Sequence, residues 1–591
     1  MPYLIKTALS EKPDGGDDIV LLGEWCRLYA RRDSAMESIP VIPYHWDDRE
    51  KLGRDFDYLQ ALNRRLLKDL TSALNQLHGV SYSEQYWYLL LGYWLNVFTA
   101  VLFDRRSCLN EAVVQYDELK TVIYPVTSEV FVPKGTSEAL SFFQEDWWNH
   151  ALYARLIKDF PRIEVVVASD GASMGEIEGF PVTEVRSGRV SGKRRFGNAL
   201  NQMYHLGRRE SRYTIARSGL SFMQEAQLAL RLGCVPHRIT FPDVKSLPLD
   251  SNLREWTIAG NTGKDSFDCL VRTLLPQMIP RVFLEGFNSC RQVLQEKSYP
   301  KSSNVIFTSH SHFTDDVFKV WAGEQCEQGE RLVIGQHGSG AFHKFNGATS
   351  YELSISDAYV STGNGNCEID DRIKDVGRFN NKFKIGKWDP NGHATLVTVA
   401  MPRYAFDIRA MPIAGQMLSY FEDQFLFYEK LCAKIRGRLH IRIYPKGDYG
   451  WNQRKRWLDR FPEVILDEGH VSLSVQASRS RLMIATYNAT TYNESLAANL
   501  PTVMYWDPHY WELREAAQPW FEELKSVGIF HETPESAATH VKKIWHDVRG
   551  WWQSESVQEA RARYCRRYAH LPPDVLSRLA NVLKHEGSGL K

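Results

Sequence analysis

The sequence predicts an α/β protein of two lobes, each a parallel sheet flanked by helices, and three stretches carry that expectation. The first is Arg481 to Pro508, RLMIATYNATTYNESLAANLPTVMYWDP. It reads as a strand over 482–485, a polar turn, a short helix over 493–498 and a second strand over 502–506. The second pairs the apolar runs Val305-Ile306-Phe307-Thr308 and Arg331-Leu332-Val333-Ile334 across a helical stretch, a β-α-β step. The third is the tail 536–586, helical in pattern, with Trp545, Trp551, Trp552, Tyr564 and Tyr568 at helical spacing and suited to packing back across both lobes. The expected layout is an N-terminal lobe over 1–385 with a helical insertion over about 50–300, a C-terminal lobe over 390–540, and returning helices over 541–591.

Bulk properties exclude several classes. Lys and Arg number 72 against 71 Asp and Glu, so no basic excess recruits nucleic acid. The nine cysteines form no CxxC pair, which argues against a zinc site or disulfide framework and fits a reducing cytosol. The opening MPYLIKTALSEKPDGGDD has no apolar core of a signal peptide. Tyr86 to Phe103 is 18 residues without a charge, the lower limit of a membrane span. Gly92 and Asn96 lie in its middle and its aromatics are spread along it, so it is expected to be a buried core helix; contact with a membrane is the alternative.

Taken in order, 18–26 reads as a strand running into a glycine turn, which puts Glu24 at a strand's carboxyl end, where open α/β sheets hold ligands. The turn YHWDDR offers His45, Asp47 and Asp48, for sugar hydroxyls or for capping the helix predicted over 52–77. From about 135 to 230 the pattern is helical apart from a strand near 163–168. SGRVSGKRRFG (187–197), with Lys193, Arg194 and Arg195, is either a solvated loop or a phosphate contact. Residues 235–265 carry few periodic signals. After the strand at 305 comes a Ser/His turn containing His310, then a helix with Asp316. The next strand ends in GQHGSG, which places Gln336 and His337 at its carboxyl end; the loop is neither GxGxxG nor a P-loop. A linker is expected between 375 and 392. In the second half, Arg403, Arg442 and Lys446 follow predicted strands and join the 490 turn. Three cations around a helix N-terminus suit a phosphate. Asn488, Thr490 and Thr491 are possible caps there, and Glu494 is placed to reach a ribose.

These stretches resemble a family. LLGEWCRLY, YHWDDREKL, YSEQYWYLLLGYWL, FTSHSHFTDDVFKVWA, GQHGSG, IRIYPKGDYGW, TYNATTYNESLAANLPTVMYW and IWHDVRGWW are similar, over nearly the whole chain, to the transferases of bacterial O-antigen and surface-carbohydrate gene clusters. The resemblance implies a GT-B-like fold, two Rossmann-like lobes facing a cleft. It also implies a glycosyltransferase that moves a sugar from a nucleotide-activated donor to a surface glycan such as lipopolysaccharide or capsule. A looser similarity is to CMP-sugar-using Kdo-transferases and sialyltransferases: Tyr444-Pro445 followed by Thr490-Thr491 repeats their order, with Tyr where they carry His. The acidic Asp467-Glu468-Gly469 falls in the wrong lobe for a catalytic role.

On this reading Arg403, Arg442, Tyr444, Lys446, Asn488, Thr490, Thr491 and Glu494 hold the donor. His337, Glu24 and Asp316 are candidates for a general base if the reaction inverts. His45, Asp47, Asp48, Gln336 and His310 face the acceptor. No metal and no cofactor are expected, because no DxD pattern stands out. The expected partners are a nucleotide-sugar and a glycan or lipid-linked glycan. The expected location is cytoplasmic, with peripheral contact at the inner membrane face. A sugar-nucleotide epimerase on the same scaffold and a non-catalytic glycan-binding protein are the alternatives.

Overall fold

The computed structural model describes residues 1–9, 18–31, 34–125, 128–168, 212–234, 239, 241–242, 247–260, 265–296, 299–300, 303–338, 340–363, 366–379, 381–445 and 447–588. The basic loop 187–197 and Lys446 lie outside them. The described strands form three sheets, and every pairing within them is parallel. The first holds β1 (Tyr3–Ile5), β2 (Ile19–Leu21), β3 (Leu119–Ile123) and β4 (Ile163–Val167), in the order β2-β1-β3-β4. The second runs in sequence order: β5 (Tyr213–Ala216), β6 (Val305–Thr308), β7 (Arg331–Gly335), β8 (Ala358–Ser361) and β9 (Ile373–Asp375). The third holds β10 (His393–Val397), β11 (Leu439–Arg442), β12 (Ile465–Asp467), β13 (Ser480–Ala485), β14 (Thr502–Tyr505) and β15 (Phe530–His531), ordered β12-β11-β10-β13-β14-β15. The α/β class and its parallel sheets are those the sequence predicts. The N-terminal half carries two sheets where the sequence suggested one.

Between the first two sheets run the long helices α1 (Arg49–His78) and α2 (Glu84–Gln115). Asp48 caps α1 by accepting the Lys51 N–H at 2.9 Å. This exposed cap is the work Asp48 does, so it leaves the acceptor side. Asp48→Ala is expected to lower the urea midpoint slightly, through loss of the cap, and to leave turnover intact.

Tyr86 to Phe103 falls within α2, which Ser83 caps through the Tyr86 N–H. Among the described helices α2 alone is long and apolar enough to cross a membrane, yet 78% of its most apolar window is buried inside the protein. It is a core helix. Two of its polar residues are met from within: the Asn63 amide donates to Asn96 at 2.9 Å, and the Thr99 hydroxyl donates to Asn63 at 2.9 Å.

Alternation along the second sheet separates its two faces. Ile306, Leu332, Ile334 and Tyr359 face the long helices. Val305, Phe307, Val333 and Val360 face the C-terminal helix Val575–Ser588. Shorter helices complete the frame: α3 (Thr136–Phe142), α4 (Phe222–Arg231), α5 (Asp316–Glu327) and α6 (Thr490–Ala497). The tail forms α7 (Glu555–Tyr568), packed on the third-sheet lobe, and α8 (Val575–Ser588), whose Leu576, Leu579 and Leu583 lie on the second sheet.

Candidate functional site

The carboxyl ends of the second and third sheets face one another, the edge where parallel α/β sheets place ligands. On one side β5 ends at Arg217, β6 at Ser309-His310, and β7 at Gln336-His337-Gly338. Arg217 takes φ +41°, a backbone state that side-chain-bearing residues seldom adopt outside constrained sites. On the other side β13 ends in the turn 486–489, and α6 begins at Thr490. The two edges meet: a Cβ on Gly338 (φ +76°) would stand 3.0 Å from Thr490 Oγ1, so glycine allows the loop to come this close.

His337 is exposed, and its ring centroid lies 3.8 Å from that of His310. Burial pushes the His310 imidazole down to about 4, and the nearby His312, Arg217 and Lys382 push it the same way. His310 is therefore neutral near pH 7.

The α6 turn differs from the predicted cap. Ala489 occupies the cap position, and among the described residues no side chain accepts from the first-turn amides. The predicted caps are engaged elsewhere. Asn488 Oδ1 accepts from His343 Nε2 at 2.8 Å and from the Tyr492 hydroxyl at 2.9 Å. Thr491 Oγ1 shares a 2.5 Å bond with the Tyr487 hydroxyl. The helix thus presents its N–H groups and the positive end of its dipole without a side-chain acceptor. Asn488 Nδ2 is buried and unpartnered. Beneath the turn, Lys344 Nζ donates to the Asn488 carbonyl at 2.6 Å. Tyr444 follows β11 half-buried, close enough to Tyr449 and Tyr487 to raise both phenols electrostatically, burial being the larger cause in each.

Several predicted site residues have other work. Arg403 is buried between the lobes: it pairs with Asp146 at 2.5 Å, donates to the Tyr449 carbonyl at 3.0 Å and reaches the Trp25 carbonyl. Arg442 pairs with Asp467 at 2.8 Å and donates to the Val471 carbonyl at 2.9 Å. The predicted three-cation pocket is therefore not assembled from these residues. Glu494 is buried 3.3 Å from Arg378, and burial raises its carboxyl.

Asp316 accepts from the Thr136 N–H and hydroxyl at 2.8 and 2.6 Å and pairs with Lys319 at 2.7 Å. It anchors the start of α3 and does not face the cleft as a base. Glu24 pairs with Arg27 one turn on, at 2.9 Å. His45 is buried 3.1 Å from Asp104, and Asp47 accepts from Gln416 across the lobes at 2.9 Å. Gln336 braces its neighbours, accepting the Thr362 N–H at 3.0 Å and donating to the Gly338 carbonyl at 3.2 Å.

Among the described residues, one grouping has the makings of a metal site: His45, Asp104 and Cys108. Arg105 pairs with that Asp104, and Lys51 Nζ lies 3.2 Å from His45 Nδ1. Two cations already stand where a metal ion would bring its charge, so these residues do not suit one.

Residues 2–583 match the model described as LIC12162 family transferase. The chain belongs to the LIC12162 family of transferases. No curated protein matches it. Among solved structures, the MurG of Acinetobacter baumannii is similar at 11% identity and a TM-score of 0.34, over 64% of this chain and 100% of that one. The wall teichoic acid polymerase TagF is similar at 10% identity and a TM-score of 0.27, over 49% of this chain and 74% of that one. A trehalose-phosphate synthase of Burkholderia vietnamiensis is similar at 10% identity and a TM-score of 0.29, over 51% and 77%.

In this LIC12162 family member the sequence reading passed over Arg217, His343, Lys344, Arg378, Lys382 and Tyr487. A signal existed for some of them. Arg217 follows the apolar run YTIA as His310 follows VIFT, and His343-Lys344 lie just beyond GQHGSG. A cavity of about 650 Å³, lined by Arg155, Arg254, Trp256, Ile258, Arg272 and Gln277 among others, lies in the N-terminal half and contains none of the predicted site residues. We place the site at the facing strand ends, because donors, neutral histidines and a bare helix N-terminus converge there.

Proposed function

We propose that this transferase is a glycosyltransferase of GT-B type, moving a sugar from a nucleotide-activated donor to a bacterial surface glycan. One observation carries the reading: the His337 loop at the carboxyl edge of the second sheet meets, across the lobes, the uncapped N-terminus of α6. The α6 amides would hold the leaving phosphate. Tyr444, Tyr449 and Tyr487 would receive the nucleobase. His337 would take the acceptor proton as the hydroxyl attacks the anomeric carbon. Charge on the leaving group would be met by the helix end and nearby cations, without a metal or cofactor. Arg217 and Lys382 lie beside His310, and they favour a donor sugar that carries its own carboxylate, such as a CMP-activated Kdo or nonulosonic acid. The acceptor, free or lipid-linked, would be met on the cytoplasmic side of the inner membrane.

A thermal-shift screen with CMP, UDP, GDP and dTDP tests the donor site. At a hundredfold excess over Kd a ligand stabilises by about 2.7 kcal/mol, so one nucleotide is expected to raise Tm by a few degrees. Thr490→Asp is expected to erase that rise. The new carboxylate sits in the first helical turn, where it favours the helix while repelling phosphate, so lost binding is separable from lost folding. No shift with any nucleotide, or a shift unchanged in the variant, counts against the site. Free nucleotide released only in the presence of acceptor separates transfer from epimerisation.

A further inference from the structure

Lys344 is 4% exposed, and among the described residues it has no ion pair with a carboxylate. One of its hydrogens goes to the Asn488 carbonyl, and Nζ lies 5.5 Å from the Trp511 ring centroid. The charged groups around it are committed elsewhere. Arg409 pairs with Asp407, and Glu512 pairs with Arg49 at 2.5 Å. His343 is held neutral, burial pushing it to about 3, with Lys344 and Arg514 adding to the shift. Burial likewise pushes Lys344 down to about 7; Arg409 adds to this and Glu512 opposes it. An unpaired buried ammonium is costly, so above about pH 7 a lysine so placed gives up its charge until an anion arrives.

Two further features share the place. Asn488, whose carbonyl holds Lys344, keeps a buried and unpartnered Nδ2. The first turn of α6, beginning two residues on, has no side-chain acceptor. Above the lysine the His337 loop returns at Gly340 (φ +100°), where a Cβ would stand 2.8 Å from Lys344 Cε. Three sets of donors therefore gather at one turn, and among the described residues no carboxylate pairs with Lys344 there.

We propose that Lys344 is the counter-ion of the donor's leaving phosphate, and that it takes up a proton from solvent as the nucleotide binds. This rests on the donor site proposed above. The amine, a solvent proton and the bound phosphate become an ammonium–phosphate pair, and the proton leaves again with the product. Above about pH 7 the full positive charge then accompanies the bound nucleotide, and the empty protein is spared an unpaired buried cation.

The sign follows from linkage. Binding raises the pKa of Lys344 above that of the empty protein. Below about pH 7 the lysine is already charged and binding draws no proton. Above it, binding takes up as much as one proton and Kd rises with pH, at most about tenfold per unit. His310 and His343, at about 4 and about 3, stay neutral across this window.

The experiment is isothermal titration of the full chain with the nucleotide found by the screen, and separately with inorganic diphosphate. It is run from pH 6.5 to 9 in two buffers of different ionisation heat. Wild type is expected to take up a proton at alkaline pH. Lys344→Met is expected to fold with an undiminished Tm, to bind more weakly at neutral pH and to show no uptake. Lys344→Arg, charged throughout, is expected to bind without uptake and with a flat pH profile. Nucleotide binding without uptake in wild type, or equal uptake in Lys344→Met, overturns the assignment while the donor site stands. Diphosphate binding with uptake that Lys344→Met abolishes, but no nucleotide binding, supports Lys344 as an anion's counter-ion and removes the nucleotide reading. Binding of neither overturns both.

Discussion

His337→Ala is expected to lower kcat by about a hundred- to ten-thousand-fold, the usual contribution of a positioned general base, with little change in Tm. The side chain is exposed and contributes nothing to a packed core, so activity and stability should part. His310→Ala should cost less: His310 stands behind His337, is half-buried and neutral, and orients the exposed ring it touches. Nucleotide binding should survive in both variants, because the donors at α6 are untouched. Wild-type turnover in His337→Ala would remove this residue from the chemistry.

Arg105→Ala is expected to destabilise the protein by about 3–5 kcal/mol, the range for stranding one partner of a buried ion pair. Arg105 and Asp104 are almost wholly buried in α2. Arg105 Nε donates to Asn149 at 2.7 Å and its Nη1 to the Ala405 carbonyl at 2.8 Å. Burial alone would raise the Asp104 carboxyl, but Arg105, His45 and Tyr44 outweigh it and hold the carboxyl low. In the wild type this stability is present above the carboxylate range and lost as pH falls through the folded value. The variant reverses the sign: with its cation gone, the Asp104 carboxyl rises, and the deficit should shrink as the pH is lowered. Urea midpoints at neutral and acid pH measure both effects. Asp104→Leu added to Arg105→Met should recover much of the loss.

Much of the fold was legible where a strand is a closed apolar run. Val305–Thr308 and Arg331–Gly335 are such runs, as is the unit around α6. The first sheet was legible only in part, for a physical reason. Two of its strands, β2 and β4, do fall within the stretches read as strands over 18–26 and near 163–168, but β1 is three residues long and β3, LKTVI, carries a lysine at a half-buried position. Pairing with neighbours, not local pattern, makes these segments strands.

The site was legible as an edge and illegible as a list of residues. His337, His310 and Thr490 could be placed at this edge because strand ends can be read from sequence. Arg403 and Arg442 were misplaced because a cation says nothing of its partner. Asp146 lies 257 positions from Arg403, and no local pattern marks that pairing. Lys344 escaped notice because what singles it out is burial without a counter-ion, a property of the folded surroundings. Asp467 is the partner of Arg442.

The chain passes between the halves of the molecule twice, once after β9 and once after α7. The two passages are fastened together: the Arg378 N–H donates to the His570 carbonyl at 2.7 Å, and the His570 N–H donates to the Thr362 carbonyl at 3.0 Å. Their spacing, together with the cross-lobe pairs Arg403–Asp146 and Arg49–Glu512, fixes how the two halves sit against one another, and so fixes the place of His337 above Thr490.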